Sequence, residues 1–143
     1  MYVTLYLLNI GGIYMNIAVT EKQVYGKKVR TSNQNIHSIF KLWEEFLQLD
    51  LKGDVYGVYT NYESDYTGEY DLYIGTEKEL VAAHKMIIPA GNYYVVEVDN
   101  SNPQGVFHAW EKIWQSDIKR AYQTDFEFYS KDGSIKIFLS IEE

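Results

Sequence analysis

The sequence predicts an α+β domain in which a strand–helix–strand–strand unit occurs twice. The chain has 143 residues, 46% of them hydrophobic and 23% charged, which is typical of one globular domain with its own core. Apolar residues alternate in several segments and recur every three or four residues in two others. Trp43 and Gly68 recur as Trp110 and Gly133 at a nearly constant spacing. We expect one mostly antiparallel sheet, with two helices on one face and a central ligand groove between them.

The first unit is predicted to begin with a strand over residues 15–31, bent at Gly26. A helix follows and is predicted to end at Gly53. Its candidate N-caps are Ser32, Asn33 and Asn35. Its apolar stripe consists of Ile36, Ile39, Phe40, Trp43, Phe46 and Leu47.

The second unit is predicted to begin with a Val-rich strand over residues 92–99. Asn102 followed by Pro103 predicts the start of a helix, because proline at the first helical position costs no hydrogen bond. Asp117 is placed at the frayed end of this helix. Its apolar stripe consists of Val106, Trp110, Ile113 and Trp114.

Each unit is predicted to end in a β-hairpin. Residues 54–62 and 69–75 alternate as strands do, and the loop between them contains Gly68. Residues 124–130 and 134–141 repeat this pattern around Gly133. The chain therefore completes its second unit close to its last residue.

The composition bears on function through charge and through tyrosine content. The net charge is −7, whereas nucleic-acid binding depends on clustered Lys and Arg, so direct nucleic-acid binding is not expected. Carboxylates together with 14 tyrosines favour a small cationic ligand, because both attract positive charge. The acidity is equally explained by a need for solubility, and the composition alone leaves both interpretations open.

Several kinds of chemistry find no signal in the sequence. There are no cysteines, which excludes disulfides and thiolate sites and is typical of a reducing cytoplasm. His37, His84 and His108 lie far apart and make no metal-binding spacing, so we expect no metal site. No glycine-rich phosphate loop or nucleophilic serine motif occurs, so no cofactor is expected and no catalytic residue is assigned.

The domain is predicted to cover residues 15–143, with residues 1–14 as an N-terminal extension. Residues 1–14 are apolar, but they lack the features of a signal peptide and are too short to span a bilayer. Accordingly, no membrane association is expected. Because the patterned sequence begins at Met15, one hypothesis is that Met15 is the natural start.

Glu127 is the most unusual acidic residue of the chain. It lies in the middle of a predicted strand, where glutamate is disfavoured. By alternation, Phe126 and Phe128 face one side of the sheet, while Asp125, Glu127 and Tyr129 face the other. A carboxylate in aromatic surroundings has a raised pKa unless a cation compensates it, and a ligand can supply that cation. The alternative is a solvent-facing residue paired with a lysine such as Lys136.

Four motifs together resemble a known family. They are YGVYTNYESDYTGEYDLYIG at 56–75, IPAGNYYVVEV at 88–98, AWEKIW at 109–114 and DFEFY at 125–129. In order and spacing the chain is similar to the GyrI-like small-molecule-binding domains. These are the effector-binding modules of AraC-type and MerR-type multidrug regulators, and they also occur alone, including on integron cassettes.

The resemblance implies two repeats around a central pocket that binds cationic, lipophilic ligands. It implies that Glu127 is the acid of that pocket. The aromatic residues that match the lining by position are Tyr59, Trp110, Tyr129, Phe138 and Tyr93. Because the regulators carry a helix-turn-helix upstream and only residues 1–14 precede the domain here, we do not expect this chain to bind DNA directly.

Two alternatives to simple binding remain open at this stage. Some relatives standing alone are hydrolases of strained, alkylating molecules, in which a tyrosine and a glutamate activate water. Others resemble a gyrase-modulating protein, which leaves open a protein partner such as a topoisomerase, or a homodimer.

Overall fold

The computed structural model describes residues 2–6 and 14–142 and has an α+β fold, as predicted. Its elements in chain order are β1 (Tyr2–Tyr6), β2 (Tyr14–Val19), β3 (Lys22–Ser32), α1 (Ile36–Leu47), β4 (Val55–Thr60), β5 (Glu69–Thr76), β6 (His84–Ile88), β7 (Gly91–Val98), α2 (Gly105–Gln115), β8 (Thr124–Tyr129) and β9 (Ile135–Ser140). The strands form one sheet in the order β1-β2-β7-β9-β8-β4-β5-β3-β6.

The sheet confirms the predicted duplication. The first repeat is β3-α1-β4-β5 and the second is β7-α2-β8-β9. In the sheet they run outward from the centre as β4-β5-β3 and β8-β9-β7, with β4 and β8 side by side. Each described strand pair is antiparallel. The two repeats therefore meet at the β4–β8 pair, which lies beneath the groove between the helices.

Each repeat is preceded by a short strand that pairs with the other repeat. β2 leads into β3 but pairs with β7, and β6 leads into β7 but pairs with β3. The prediction of one bent strand over residues 15–31 was therefore wrong, because the chain turns between Val19 and Lys22 and the two parts join different neighbours. Gly26 lies inside β3, opposite Gly75. β6 was not predicted.

The helix boundaries also differ from the predicted ones. The N-cap of α1 is Asn35, which was one of the three predicted candidates. The helix ends at Leu47 rather than at Gly53. The chain leaves the helix there because Asp50 has a positive φ of 49°. α2 begins at Gly105, since Pro103 lies in a turn in which the Gly105 N–H bonds to the Asn102 carbonyl.

Two apolar layers lie on opposite faces of the sheet. On one face α1 packs against Leu72 and Ile74, and α2 packs against Ile137 and Leu139. The other face carries a separate cluster in which the rings of Phe126 and Phe138 stack 4.4 Å apart. β8 contributes to both layers through alternation, which confirms that Phe126 and Phe128 face away from Glu127 and Tyr129.

Residues 2–6 of the predicted N-terminal extension form β1, which pairs with β2 at one edge of the sheet. Residues 1, 7–13 and 143 lie outside the described residues. The boundary at residue 15, and Met15 as the natural start, stay predictions. Within residues 2–6 and 14–142, no helix combines the length and the apolar character needed to cross a membrane.

Candidate functional site

A cavity of about 580 Å³ lies between α1 and α2, above strands β4 and β8. Of the eighteen residues that line it, ten are aromatic, so a ligand would meet mostly ring faces and edges. The aromatic residues are Phe40, Trp43, Tyr59, Tyr62, Tyr66, Tyr70, Phe107, Trp110, Trp114 and Tyr129. The volume falls within the range of pockets that hold drug-sized molecules.

Glu127 lies on the sheet side of this cavity with 2% of its surface exposed. Its Oε2 accepts hydrogen bonds from the Tyr59 hydroxyl at 2.8 Å and from the Trp110 indole N–H at 2.7 Å. Its Oε1 accepts a hydrogen bond from the Tyr129 hydroxyl at 2.7 Å. The carboxylate is thus held by three donors, and none of them carries a charge.

The three donors come from three different elements. Tyr59 lies on β4, Trp110 on α2 and Tyr129 on β8, so the carboxylate joins the two repeats. The rings also support one another, since Tyr59 meets Trp110 edge to face at 5.3 Å and Tyr129 meets Trp43 at 5.2 Å. Edge-to-face contacts of this kind fix ring orientation. The donors are therefore held in place by packing as well as by the hydrogen bonds.

Burial raises the pKa of Glu127, and the hydrogen bonds from Trp110, Tyr129 and Tyr59 oppose that rise. Burial, together with the nearby carboxylate, also raises the pKa values of Tyr59 and Tyr129. Among the described residues no Lys, Arg or His forms an ion pair with Glu127. The site therefore contains a buried acid whose charge has no counter-ion within the described part of the chain.

The alternative pairing of Glu127 with Lys136 does not occur. Lys136 is the register partner of Phe128, whereas Glu127 lies opposite Ile137. Side chains at paired positions of an antiparallel ladder share a face, so Lys136 lies with Phe128 on the opposite side of the sheet. This alternative was wrong because the sequence does not reveal the register of the β8–β9 hairpin.

A second polar cluster lies beside the cavity. The Arg120 Nη2 donates to Asp125 Oδ2 at 2.7 Å, and both side chains are almost fully buried. The same carboxylate oxygen accepts from the Tyr62 hydroxyl at 2.6 Å, while Oδ1 accepts from the backbone and hydroxyl of Ser140. Although Arg120 lines the cavity, its charge is compensated by Asp125, so Glu127 remains the acid available to a ligand.

Of the aromatic residues predicted to surround Glu127, the structure brings Tyr59, Trp110 and Tyr129 to it and leaves two others away. Phe138 and Tyr93 lie in the apolar layer on the opposite face of the sheet, in contact with Phe126. They are not among the residues that line the cavity. The physical reason is again strand alternation, because on β9 it is Ile137 and Leu139 that face the helices.

Sequence reasoning missed three further features of the site. Trp43 walls the cavity, and its equivalence to Trp110 in the repeat was a usable signal. Arg120 gave no local signal, since its partner Asp125 becomes apparent only through the fold. Gly57 lies directly opposite Glu127 on β4, and a residue without a side chain offers no chemistry to notice.

The described residues contain no cluster of three or more His, Cys, Asp or Glu side chains arranged to hold a metal ion. A second, wider concavity of about 1060 Å³ lies beside α2 and residues 116–119. Its acidic residues, such as Glu97 and Asp99, are exposed to solvent. Of these two cavities in the described part of the chain, the first is the one that contains a buried acid, Glu127.

Comparisons with known proteins agree with this fold. Residues 18–141 match the family described as "Cass2: Integron-associated effector binding protein". An integron cassette protein from the mobile metagenome of Vibrio cholerae superposes with a TM-score of 0.79 and 29% identity, over 99% of this chain and 98% of that one. Comparison with curated protein sequences gives no significant match.

Two more distant structures share the fold. SAV2435 bound to tetraphenylphosphonium has a TM-score of 0.64 and 16% identity, over 90% of this chain and 93% of that one. A Staphylococcus aureus MU50 protein, provisionally assigned to bacterial transcription regulation, has a TM-score of 0.68 and 17% identity, over 91% of this chain and 98% of that one. The resemblance to GyrI-like effector-binding domains is thereby confirmed, and this chain belongs to the Cass2 family of integron-associated effector-binding proteins.

Proposed function

We propose that this protein binds a lipophilic organic cation in the cavity between the helices, without altering it chemically. The observation that carries the proposal is the buried Glu127 carboxylate, which is held by three uncharged donors and has no basic partner among the described residues. A ligand cation supplies the missing counter-charge in a site of low polarity, where the attraction is strongest. The binding of tetraphenylphosphonium by SAV2435, which shares the fold, supports this choice of ligand class.

The lining accounts for the lipophilic part of the ligand. Ring faces carry partial negative charge and attract a delocalised cation, and the large apolar area of the rings packs against the ligand's apolar body. A cation whose charge is spread over a large apolar body loses little hydration on entry, so it suits this cavity better than a small hydrated amine. We propose that the ligand contacts Glu127, Tyr59, Trp110 and Tyr129. Phe138 and Tyr93 are not included, because they lie outside the cavity.

The test compares methyltriphenylphosphonium with the neutral triphenylphosphine oxide by isothermal titration calorimetry. We expect the wild type to prefer the cation and Glu127→Gln to lose that preference, with affinity for the cation falling about tenfold or more, which corresponds to about 1.4 kcal/mol. Glutamine keeps the shape of the side chain, so packing is conserved. Glu97→Gln, at an exposed position, is the control and should bind as the wild type does. If Glu127→Gln binds the cation undiminished, the proposal is wrong.

Hydrolysis is the second candidate function, because a tyrosine–glutamate pair is present. Tyr59 and Tyr129 both donate hydrogen bonds to Glu127 inside an apolar cavity. Burial raises the pKa of the Glu127 carboxyl group towards neutral pH, where a general acid or base works best. Mass spectrometry of the protein incubated with epoxides and activated cyclopropanes would detect turnover. Turnover that is abolished in Glu127→Gln would establish the hydrolase, whereas binding of phosphonium cations without any turnover would favour the binding protein.

No contact among the described residues favours a particular protein partner or a homodimer, so these stay predictions, as does a cytoplasmic location. The net charge of −7 supports the expectation that the chain does not bind nucleic acid directly.

A further inference from the structure

Gly57 lies at the closest approach of strand β4 to the Glu127 carboxylate. In the register of the β4–β8 pair it is directly opposite Glu127. Its neighbours Tyr56 and Val58 face the apolar layer on the far side of the sheet, so position 57 faces the cavity. A Cβ atom at this position would lie 2.9 Å from Oε1 and 3.7 Å from Cδ of Glu127. The carboxylate therefore occupies space that a side chain at position 57 would need.

Backbone geometry does not explain the glycine. Gly57 is not among the glycines with positive φ, which in the described chain are Gly53, Gly91 and Gly133. It lies inside a regular strand, where glycine has no conformational advantage and weakens pairing. The backbone of β8 is not in the way either, since the atom nearest to the added Cβ is the end of the Glu127 side chain. What the glycine provides is room for the carboxylate.

We propose that Gly57 is a positioning residue, which leaves room for Oε1 of Glu127 to lie against strand β4 and so keeps the carboxylate within reach of its three donors. This inference rests on the proposed function for its consequence in binding. A methyl group at position 57 displaces the carboxylate, because contacts below 3.0 Å are not tolerated. Trp43 Cζ2 would lie 3.6 Å from the methyl carbon, an ordinary van der Waals contact, so the Glu127 carboxylate is the neighbour that the methyl group crowds. The displacement therefore falls on the carboxylate and its hydrogen bonds.

The Gly57→Ala variant tests the placement of the carboxylate independently of the stability of the fold. Because the group that must move is the end of a side chain, we expect only a modest fall in the melting temperature, caused by the weakened hydrogen bond and partly offset by the lower chain entropy of alanine in the unfolded state. We expect affinity for methyltriphenylphosphonium to fall about tenfold, the loss that accompanies one broken hydrogen bond to a charged group. A large loss of stability would contradict the proposal, since it would mean that the backbone has to yield.

A spectroscopic readout reports on the carboxylate without any ligand. The Trp110 indole N–H donates to Oε2 of Glu127, so its proton resonance, assigned by comparison with Trp110→Phe, should move upfield in Gly57→Ala as that bond lengthens. In a Glu127→Ala background the same Gly57→Ala change should have no further effect on either the resonance or the affinity. An unchanged indole resonance in Gly57→Ala overturns the inference.

The two hypotheses fail in different ways. If the wild type binds no phosphonium cation, the proposed function fails, while the indole resonance still decides whether Gly57 positions the carboxylate. If the wild type binds and Gly57→Ala binds equally well with an unchanged resonance, the positioning role fails and the proposed function stands.

Discussion

At the scale of single residues, Glu127 combines a charge, full burial and three hydrogen bonds. The bonds stabilise the ionised form, and burial disfavours it more strongly, so the pKa is raised above its ordinary value of 4.5. The charge of a bound ligand therefore shifts the balance between the neutral and the ionised form of the Glu127 carboxyl group. A cation entering the cavity favours ionisation and lowers the pKa, which links binding to the release of a proton.

The affinity for a phosphonium cation should therefore depend on pH. The cation binds the ionised form of Glu127, so affinity is highest above the raised pKa and falls as pH drops through it, at a pH above 4.5. Among the described residues no histidine lines the cavity, and the pKa values of Tyr59 and Tyr129 are raised, so the two tyrosines do not titrate in that range. Titrations between pH 4.5 and 8 would measure the midpoint. Glu127→Gln should bind with a flat profile, and a wild-type profile equally flat would contradict the assignment.

The residues that sequence reasoning placed correctly were those whose chemistry is visible locally. Alternation within DFEFY was sufficient to put Glu127 and Tyr129 on one face. Phe138 and Tyr93 were assigned to the wrong layer because that choice depends on the register between strands, and register is set by contacts distant in sequence. Gly57 was missed because its contribution is the absence of a side chain.

At the scale of elements, the two helices are more apolar than their packing requires. Only Leu42 and Phe46 of α1 are fully buried, while Phe40 is 58% exposed and Phe107 of α2 is 45% exposed. Both phenylalanines line the cavity. The wide apolar stripe that predicted α1 thus includes residues that pack on the sheet, such as Phe46, and residues that line the cavity, such as Phe40.

Phe40→Gln should weaken binding of methyltriphenylphosphonium by roughly two- to twelvefold, the loss expected for one aromatic contact of about 0.5–1.5 kcal/mol. The melting temperature should hardly change, because the ring is already largely exposed. Leu47→Gln is a matched control on the same helix, since Leu47 is 65% exposed and does not line the cavity. Calorimetry on both variants decides the matter, and an equal effect of the two would show that Phe40 has no part in the site.

The strands and helices themselves were predictable wherever a local pattern determined them. Both hairpins and both helices were expected near their observed places. The break between β2 and β3 carries no Gly or Pro, so no local residue pattern predicts it, and the exposed alternation of β6 is short. Both missed features depend on which neighbour a strand joins rather than on its own residues.

At the scale of the whole molecule, the sheet separates the cavity on one face from an apolar layer on the other face that stabilises the fold. The helix face holds the cavity, and the opposite face holds a layer built around stacked Phe126 and Phe138. Burial in this layer also raises the pKa of Tyr93 to about 12, and its hydroxyl donates to the Pro89 carbonyl. The residues of this layer contribute to the fold without access to the ligand.

Phe138→Ala should therefore lower the free energy of unfolding by about 3–5 kcal/mol, as expected for a buried phenylalanine. Its affinity for methyltriphenylphosphonium, measured at a temperature where the variant is folded, should stay near the wild-type value. Chemical denaturation and calorimetry test the two halves of this prediction. A variant with unchanged stability and weakened binding would return Phe138 to the ligand site.

The exchange of the leading strands makes the two repeats depend on each other. β2 completes the sheet of the second repeat, and β6 completes that of the first, although each belongs by sequence to the other half. A chain severed between β5 and β6 would yield two fragments, each of which carries a strand without its partner from the other repeat and lacks one of the two helices that line the cavity. Neither fragment contains the complete sheet, and the cavity forms only where the strands of the two repeats pair with each other.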